Sequence, residues 1–174
     1  MSLEALLESL PAYAKDLKLN LGSVLRQPEL TPNQIWGTAV ACAIASRNAT
    51  LRNVILEEAG KAIEPAVVEA AKAASAIMGM NNVYYRFLHL VEHQKYSEIR
   101  AGLRMNMLRM HGTSPVDFEL FCEAVSAING CGACIASHDR VVREKGLSEE
   151  TILAAIRIAS VIHAAAVVLD AESN

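Results

Sequence analysis

Two thiols, Cys131 and Cys134, follow an Asn129-Gly130 pair, and His138 comes four residues after the second thiol. On a helix beginning near Cys131, Cys134 and His138 are neighbours one turn apart, and Cys131 falls seven residues before the histidine on the same face. Asn-Gly breaks one helix and begins another, which places the cysteines near a helix N-terminus. Unpaired backbone N–H groups there favour a thiolate over a thiol. Two thiols close enough to bridge, one held as an anion and with a histidine in reach of a proton, are equipped for reversible redox chemistry.

Two other readings compete. Zinc would take Cys131, Cys134 and His138 and needs a fourth ligand; Glu119 is a carboxylate, which structural zinc sites rarely use. Alternatively, both cysteines are inert thiols in an alanine-rich helix. The redox reading is favoured by the helix-start position and by the acid and histidine nearby. A thiolate cleaves a peroxide O–O bond and becomes a sulfenic acid, and the second thiol condenses with it to a disulfide. That cycle needs a base to make the thiolate and an acid for the departing oxygen. Glu119, twelve residues before Cys131 on the preceding helix, and His138 supply both if their helices pack together. The helix terminus favours Cys131 as the low-pKa nucleophile, whereas the pairing with His138 favours Cys134.

The elements that must hold these residues are helical. Apolar residues make up 52% of the 174-residue chain, yet aromatics only 5%, and alanine abounds. Such a composition builds closely approaching helices, and period-two alternation is scarce, so the fold class is all-α in a single domain. Helices are expected from Ser2 to Leu10, from Pro11 through Leu21, and from Thr31-Pro32 to Ser46. Others run from Asn53 to a stop at Gly60 and from Glu64-Pro65 to Gly79, continuing toward His89. Gly22 to Pro32 reads as a connection, and Lys95 to Met110 ends in a short helix or turn. Ser114-Pro115 opens the helix carrying Phe118, Phe121 and Cys122, the cysteine helix ends at Gly146, and Ser148 caps the last.

Net charge is −3, from 16 basic and 19 acidic residues without a basic stripe, which argues against nucleic acid. Thr151 to Leu169 is apolar but has Arg157 and His163 near its middle, so a core or interface helix is expected rather than a membrane span. The acidic first turns do not read as a signal peptide, and a cytoplasmic location follows. Cys42 and Cys122 read as buried apolar residues. His89, Glu92 and His93 lie within one turn and invite a metal, but Lys95 and the lack of a nearby cysteine favour an exposed helix end. His163 reads as a packed core residue in preference to an interface group.

The two halves correspond at a spacing of 85 positions: Trp36 with Phe121, Val67 with Ile152, Ala70 with Ala155, Lys72 with Arg157, Ile77 with Ile162. Residues of about 31–90 and 115–170 are thus expected to be two copies of one helical unit. Only the second copy carries the cysteine pair.

At these residues the chain resembles the alkylhydroperoxidase D family, an all-helical group related to carboxymuconolactone decarboxylases. The family's Glu-x11-Cys-x-x-Cys-x3-His pattern is met by Glu119, Cys131, Cys134 and His138. Ile77-Met-Gly-Met-Asn-Asn-Val83, Gly102-Leu-Arg-Met-Asn106, Ala124-Val-Ser-Ala-Ile-Asn-Gly130 and the opening Leu10 to Asn20 extend the similarity over the whole chain. The resemblance implies a homotrimer of a duplicated helical fold that reduces hydroperoxides and binds no cofactor or metal. Electrons would come from a lipoyl group on a dihydrolipoamide acyltransferase, and ultimately from NADH through lipoamide dehydrogenase. It also implies that the protein re-reduces a partner, the alkyl hydroperoxide reductase C peroxiredoxin, through a mixed disulfide at Cys131. Carried over, Cys134 forms the sulfenic acid, Cys131 donates a proton and closes the disulfide, and Glu119 and His138 relay protons. One departure is Gly132-Ala133 between the cysteines, where the family can place a histidine. Two alternatives stand beside this enzyme: a disulfide carrier with little peroxidase activity of its own, and a helical assembly protein with inert thiols.

Overall fold

Seven of the nine α-helices among the described residues start at a capping side chain or a first-turn proline. The computed structural model describes residues 1–109 and 112–173, and among them regular structure is helical throughout. Ser2 caps α1 (Leu3–Ser9), and a single 3-10 turn leads into α2 (Lys15–Val24). Thr31 and Gln34 form a reciprocal capping box at α3 (Pro32–Ala45), and the Asn48 side chain caps α4 (Ala49–Ala62). Proline occupies the first position of α3, of α5 (Pro65–Leu90) and of α7 (Pro115–Ile128), where its missing N–H costs nothing. A short α6 (Lys95–Glu98) and a 3-10 turn (Asn106–Arg109) lie between α5 and α7. The cysteine helix α8 (Gly132–Glu144) is followed by α9 (Glu149–Ala171), capped by the Ser148 hydroxyl. The expected segment ending at Met110 has its last residue outside the described ones.

The core is built around α3, which packs against α4, α5, α7 and α9. Its residues Ala39, Val40, Ala41, Cys42 and Ala43 are all buried, so it has almost no polar face. Helix axes approach because small residues line the contacts. Gly37 is the extreme case: a Cβ there would lie 2.1 Å from Cζ of Phe121, a ring that is itself fully buried. Cys42 and Cys122 are buried free thiols, and burial pushes both thiol pKa values up.

Four expectations need correcting, the first being the start at Asn53: α4 begins at Ala49, capped by Asn48. Gly60 does not stop a helix and Gly22 does not begin a connection; α4 and α2 run through them. Glycine costs about 1 kcal/mol inside a helix, and buried neighbours outweigh it: Leu51, Ile55 and Ala59 in α4, Leu21 and Val24 in α2. His163 is exposed rather than packed in the core, because Ile162, Ala159 and Ala166 take the inward positions of α9. Its Nδ1 lies 3.4 Å from the Ser46 hydroxyl. His89 and His93 stand at the exposed end of α5 as expected, with the His93 ring edge-on to Tyr96. Among the described residues α9 is the one helix long and apolar enough to cross a membrane, but Ile152, Ile158, Ile162 and its inward alanines are buried against the rest of the fold.

Two glycine substitutions test this packing by urea denaturation. Gly60→Ala, with nothing within 4 Å of the new methyl, should stabilise by about 0.5–1 kcal/mol. Gly37→Ala, which must displace the Phe121 ring, should destabilise by about 1–3 kcal/mol.

Candidate functional site

Cys131 is placed by the way α7 ends. Gly130 adopts φ +67°, a left-handed conformation that glycine enters freely. The Gly130 amide then donates to the Ala127 carbonyl at 3.2 Å, and the Cys131 amide donates to Ser126 at 3.1 Å. This is a Schellman closure, and its last residue is also the N-cap of α8. The Cys131 sulfur accepts the Cys134 backbone N–H at 3.3 Å, as a capping oxygen would. Cys131 therefore stands one residue before the helix rather than inside it, and only Cys134 and His138 share the face of α8.

The Cys131 and Cys134 sulfurs are joined in a disulfide, with Cα atoms 5.3 Å apart. Cys131 is fully buried, whereas Cys134 keeps 6% of its surface. That remaining surface faces a cavity of about 370 Å³ lined by Met78, Asn81, Tyr85, Met105, Leu108, Ala133, Cys134, Ser137 and His138. His138 is held from behind: its Nδ1 lies 2.6 Å from Oε2 of Glu119 on α7. With Glu119 ionised, the carboxylate only accepts, so Nδ1 carries the proton and Nε2 is the free acceptor of the neutral ring. All four residues singled out from sequence are thus brought together at the α7–α8 junction. No metal-binding group of three or more His, Cys, Asp or Glu side chains occurs among the described residues.

A polar chain, buried at Asn82 and Ser126 and half-buried at Arg86 and Asn129, fixes this junction to α5. Arg86 Nη1 donates to the Asn129 carbonyl, and Asn129 Nδ2 to Asn82 Oδ1 at 2.9 Å. Asn82 Nδ2 donates to Ser126 Oγ at 2.9 Å, and Ser126 donates to the Met78 sulfur at 3.4 Å. Met78 is itself a wall of the cavity, so the chain runs from the Schellman turn to the substrate-sized space. Sequence reasoning gave Asn82 and Arg86 no role and read Asn129 only as a helix breaker. Their signal was available as three polar residues in otherwise apolar helical company.

Glu123 is a further residue whose part the sequence did not reveal. It lies one turn after Glu119 on α7, is 2% exposed, and its Oε2 has no hydrogen-bond partner among the described residues. Burial, reinforced by the Asp139 carboxylate and only partly offset by Arg143, pushes its pKa from 4.5 up to about 7. Arg143 is occupied by Asp139 through Nε at 2.9 Å and Nη2 at 2.7 Å. Because the folded state holds this proton more tightly than the unfolded chain, the contribution of Glu123 to stability falls as pH rises from 4.5 to 7 and is level above. Glu123→Gln lacks this dependence. Its thermal midpoint should match wild type near pH 4.5 and exceed it above pH 7, by an amount equivalent to at most about 3 kcal/mol.

A protein-family model, the carboxymuconolactone decarboxylase family, matches residues 94–173. Over its full length the chain is 60% identical to the alkyl hydroperoxide reductase AhpD of Solibacter usitatus, covering 98% of that protein. The AhpD of Koribacter versatilis is 61% identical over 173 residues, 99% of this chain and 89% of the relative. That of Streptomyces coelicolor is 50% identical over 173 residues, 99% of this chain and 97% of the relative.

Proposed function

Because this chain belongs to the alkyl hydroperoxide reductase AhpD family, we propose that it is an enzyme that reduces hydroperoxides at Cys134 and is re-reduced by a lipoyl group. The observation that carries this reading is the shared cavity wall: Cys134 and His138 face one space, with Cys131 bonded behind the first and Glu119 behind the second.

In the reduced protein, His138 Nε2 accepts the Cys134 proton while Glu119 holds the opposite ring nitrogen. The thiolate attacks the outer peroxide oxygen, the O–O bond breaks, and the alkoxide leaves as an alcohol with a proton from His138 or Cys131. Cys134 is now a sulfenic acid. Cys131, at the helix N-terminus, attacks that sulfur; hydroxide leaves as water and the disulfide closes. A dihydrolipoyl group then returns two electrons and two protons, becoming the cyclic disulfide itself; its own reduction draws on NADH through lipoamide dehydrogenase. Cys134 is the sulfur that faces the cavity, which supports its assignment as the peroxidatic one. A mixed disulfide at buried Cys131 requires the first turn of α8 to open.

The family name also supports a working partnership with an alkyl hydroperoxide reductase C peroxiredoxin. A homotrimer is supported by the apolar residues left exposed at the far end of α5 and beyond it, among them Val83, Phe87, Leu90, Tyr96 and Ile99. The two buried free thiols fit a reducing cytoplasm. A duplicated unit within one domain is supported by helix order: α3, α4 and α5 have 14, 14 and 26 residues, and α7, α8 and α9 have 14, 13 and 23.

Steady-state turnover of cumene hydroperoxide with dihydrolipoamide, lipoamide dehydrogenase and NADH, without any peroxiredoxin, tests the proposal. Wild type should turn over, Cys134→Ser should be inactive, and His138→Gln and Glu119→Gln should each lose about 10²–10⁴-fold in kcat. Wild type without turnover would favour the disulfide-carrier alternative.

A further inference from the structure

Asn81 is 5% exposed, lines the cavity beside Cys134 and His138, and among the described residues its side chain makes no hydrogen bond; its Oδ1 is buried without a partner among them. Its neighbour Asn82 shows what the fold does with a buried amide when the role is structural: it is bonded to Asn129 and Ser126. An unpaired buried acceptor is destabilising, and the side chain that carries it borders a cavity, so a donor entering that cavity would satisfy it once the amide turns.

We infer that Asn81 is the residue that binds the –O–O–H end of an organic hydroperoxide, an inference that rests on the peroxide chemistry proposed for Cys134. The terminal O–H of a hydroperoxide is a donor and its inner oxygen an acceptor, and a side-chain amide offers the complement of both. The Asn terminal torsion is broad, so a small rotation brings Oδ1 to the substrate O–H and turns Nδ2 toward the inner oxygen. That inner oxygen takes the electron pair when the O–O bond breaks, so the amide donor stabilises the developing alkoxide as well as the bound substrate. The remaining walls, Met78, Tyr85, Met105 and Leu108, are largely apolar and suit an alkyl or aryl group. A dihydrolipoyl thiol is only a weak hydrogen-bond donor to Oδ1. Asn81 therefore serves the oxidative half-reaction and is dispensable for the reductive one.

The test separates the halves. Reduced wild type, Asn81→Leu and Asn81→Ala are mixed with cumene hydroperoxide and thiol loss is followed. The disulfide forms are separately mixed with free dihydrolipoamide and thiol recovery is followed. The variants should lose about 10- to 100-fold in the peroxide step and stay within about twofold of wild type in the reductive step. Asn81→Leu should also melt higher, because the orphaned acceptor is gone. In wild type alone, cumyl alcohol should inhibit at least tenfold more strongly than cumyl methyl ether, which lacks the donor. Unchanged peroxide rates, equal losses in both halves, or equal inhibition by alcohol and ether would each overturn the inference. Wild type that does not react with the peroxide at all would instead overturn the peroxide reading beneath it.

Discussion

One backbone closure organises the site: the Cys131 amide returning to Ser126 across a left-handed Gly130. That turn ends α7 and begins α8 within a single residue, so the last residue of one motif is the cap of the next. It fixes Cys131 with its sulfur against the first N–H groups of α8, and it sets the angle at which α8 returns along α7. The return brings His138 against Glu119 at 2.6 Å. A side chain other than glycine at 130 would have to adopt φ +67° with a Cβ, and strain there would be felt at both sulfurs.

Around that turn the buried polar groups fall into two kinds. Those that hold structure are satisfied: Arg86, Asn129, Asn82 and Ser126 form a continuous chain ending on the Met78 sulfur. Among the described residues, Asn81 Oδ1, whose side chain lines the cavity, and Glu123 Oε2, on α7, are not. An orphaned acceptor beside the cysteine pair, as at Asn81, is a cost to stability that calls for a reason other than stability. The polar chain supplies position, and the unsatisfied Asn81 is the place proposed for the substrate. The apolar core around α3 keeps the other thiols, Cys42 and Cys122, buried and un-ionised, so redox chemistry is confined to one pair.

Much of this was legible in the sequence. Caps at Thr31 and Ser148, prolines at 32, 65 and 115, and glycine at 146 marked helix ends because their effects are local. Gly60 and Gly22 misled for the converse reason: their local cost is small beside the burial of Leu51, Ile55 and Leu21, which depends on the whole fold. His163 was misjudged because an apolar helix does not say which of its faces turns inward. The motif named Cys131, Cys134, His138 and Glu119, but the cavity could not be read from it. Asn81 and Tyr85 come from α5, Met105 and Leu108 from the segment beyond it, and only tertiary packing brings them to α8.

The central claim is that Cys134 is the sulfur peroxide strikes and Cys131 the one that resolves it. Reduced wild type and Cys131→Ser are each treated with one equivalent of cumene hydroperoxide, trapped with dimedone and mapped by peptide mass spectrometry. The account predicts a Cys131–Cys134 disulfide without dimedone adduct in wild type, and a single adduct on Cys134 in the variant. An adduct on Cys131 in a Cys134→Ser protein that still consumes the equivalent of peroxide, with Cys131→Ser unreactive, would contradict it.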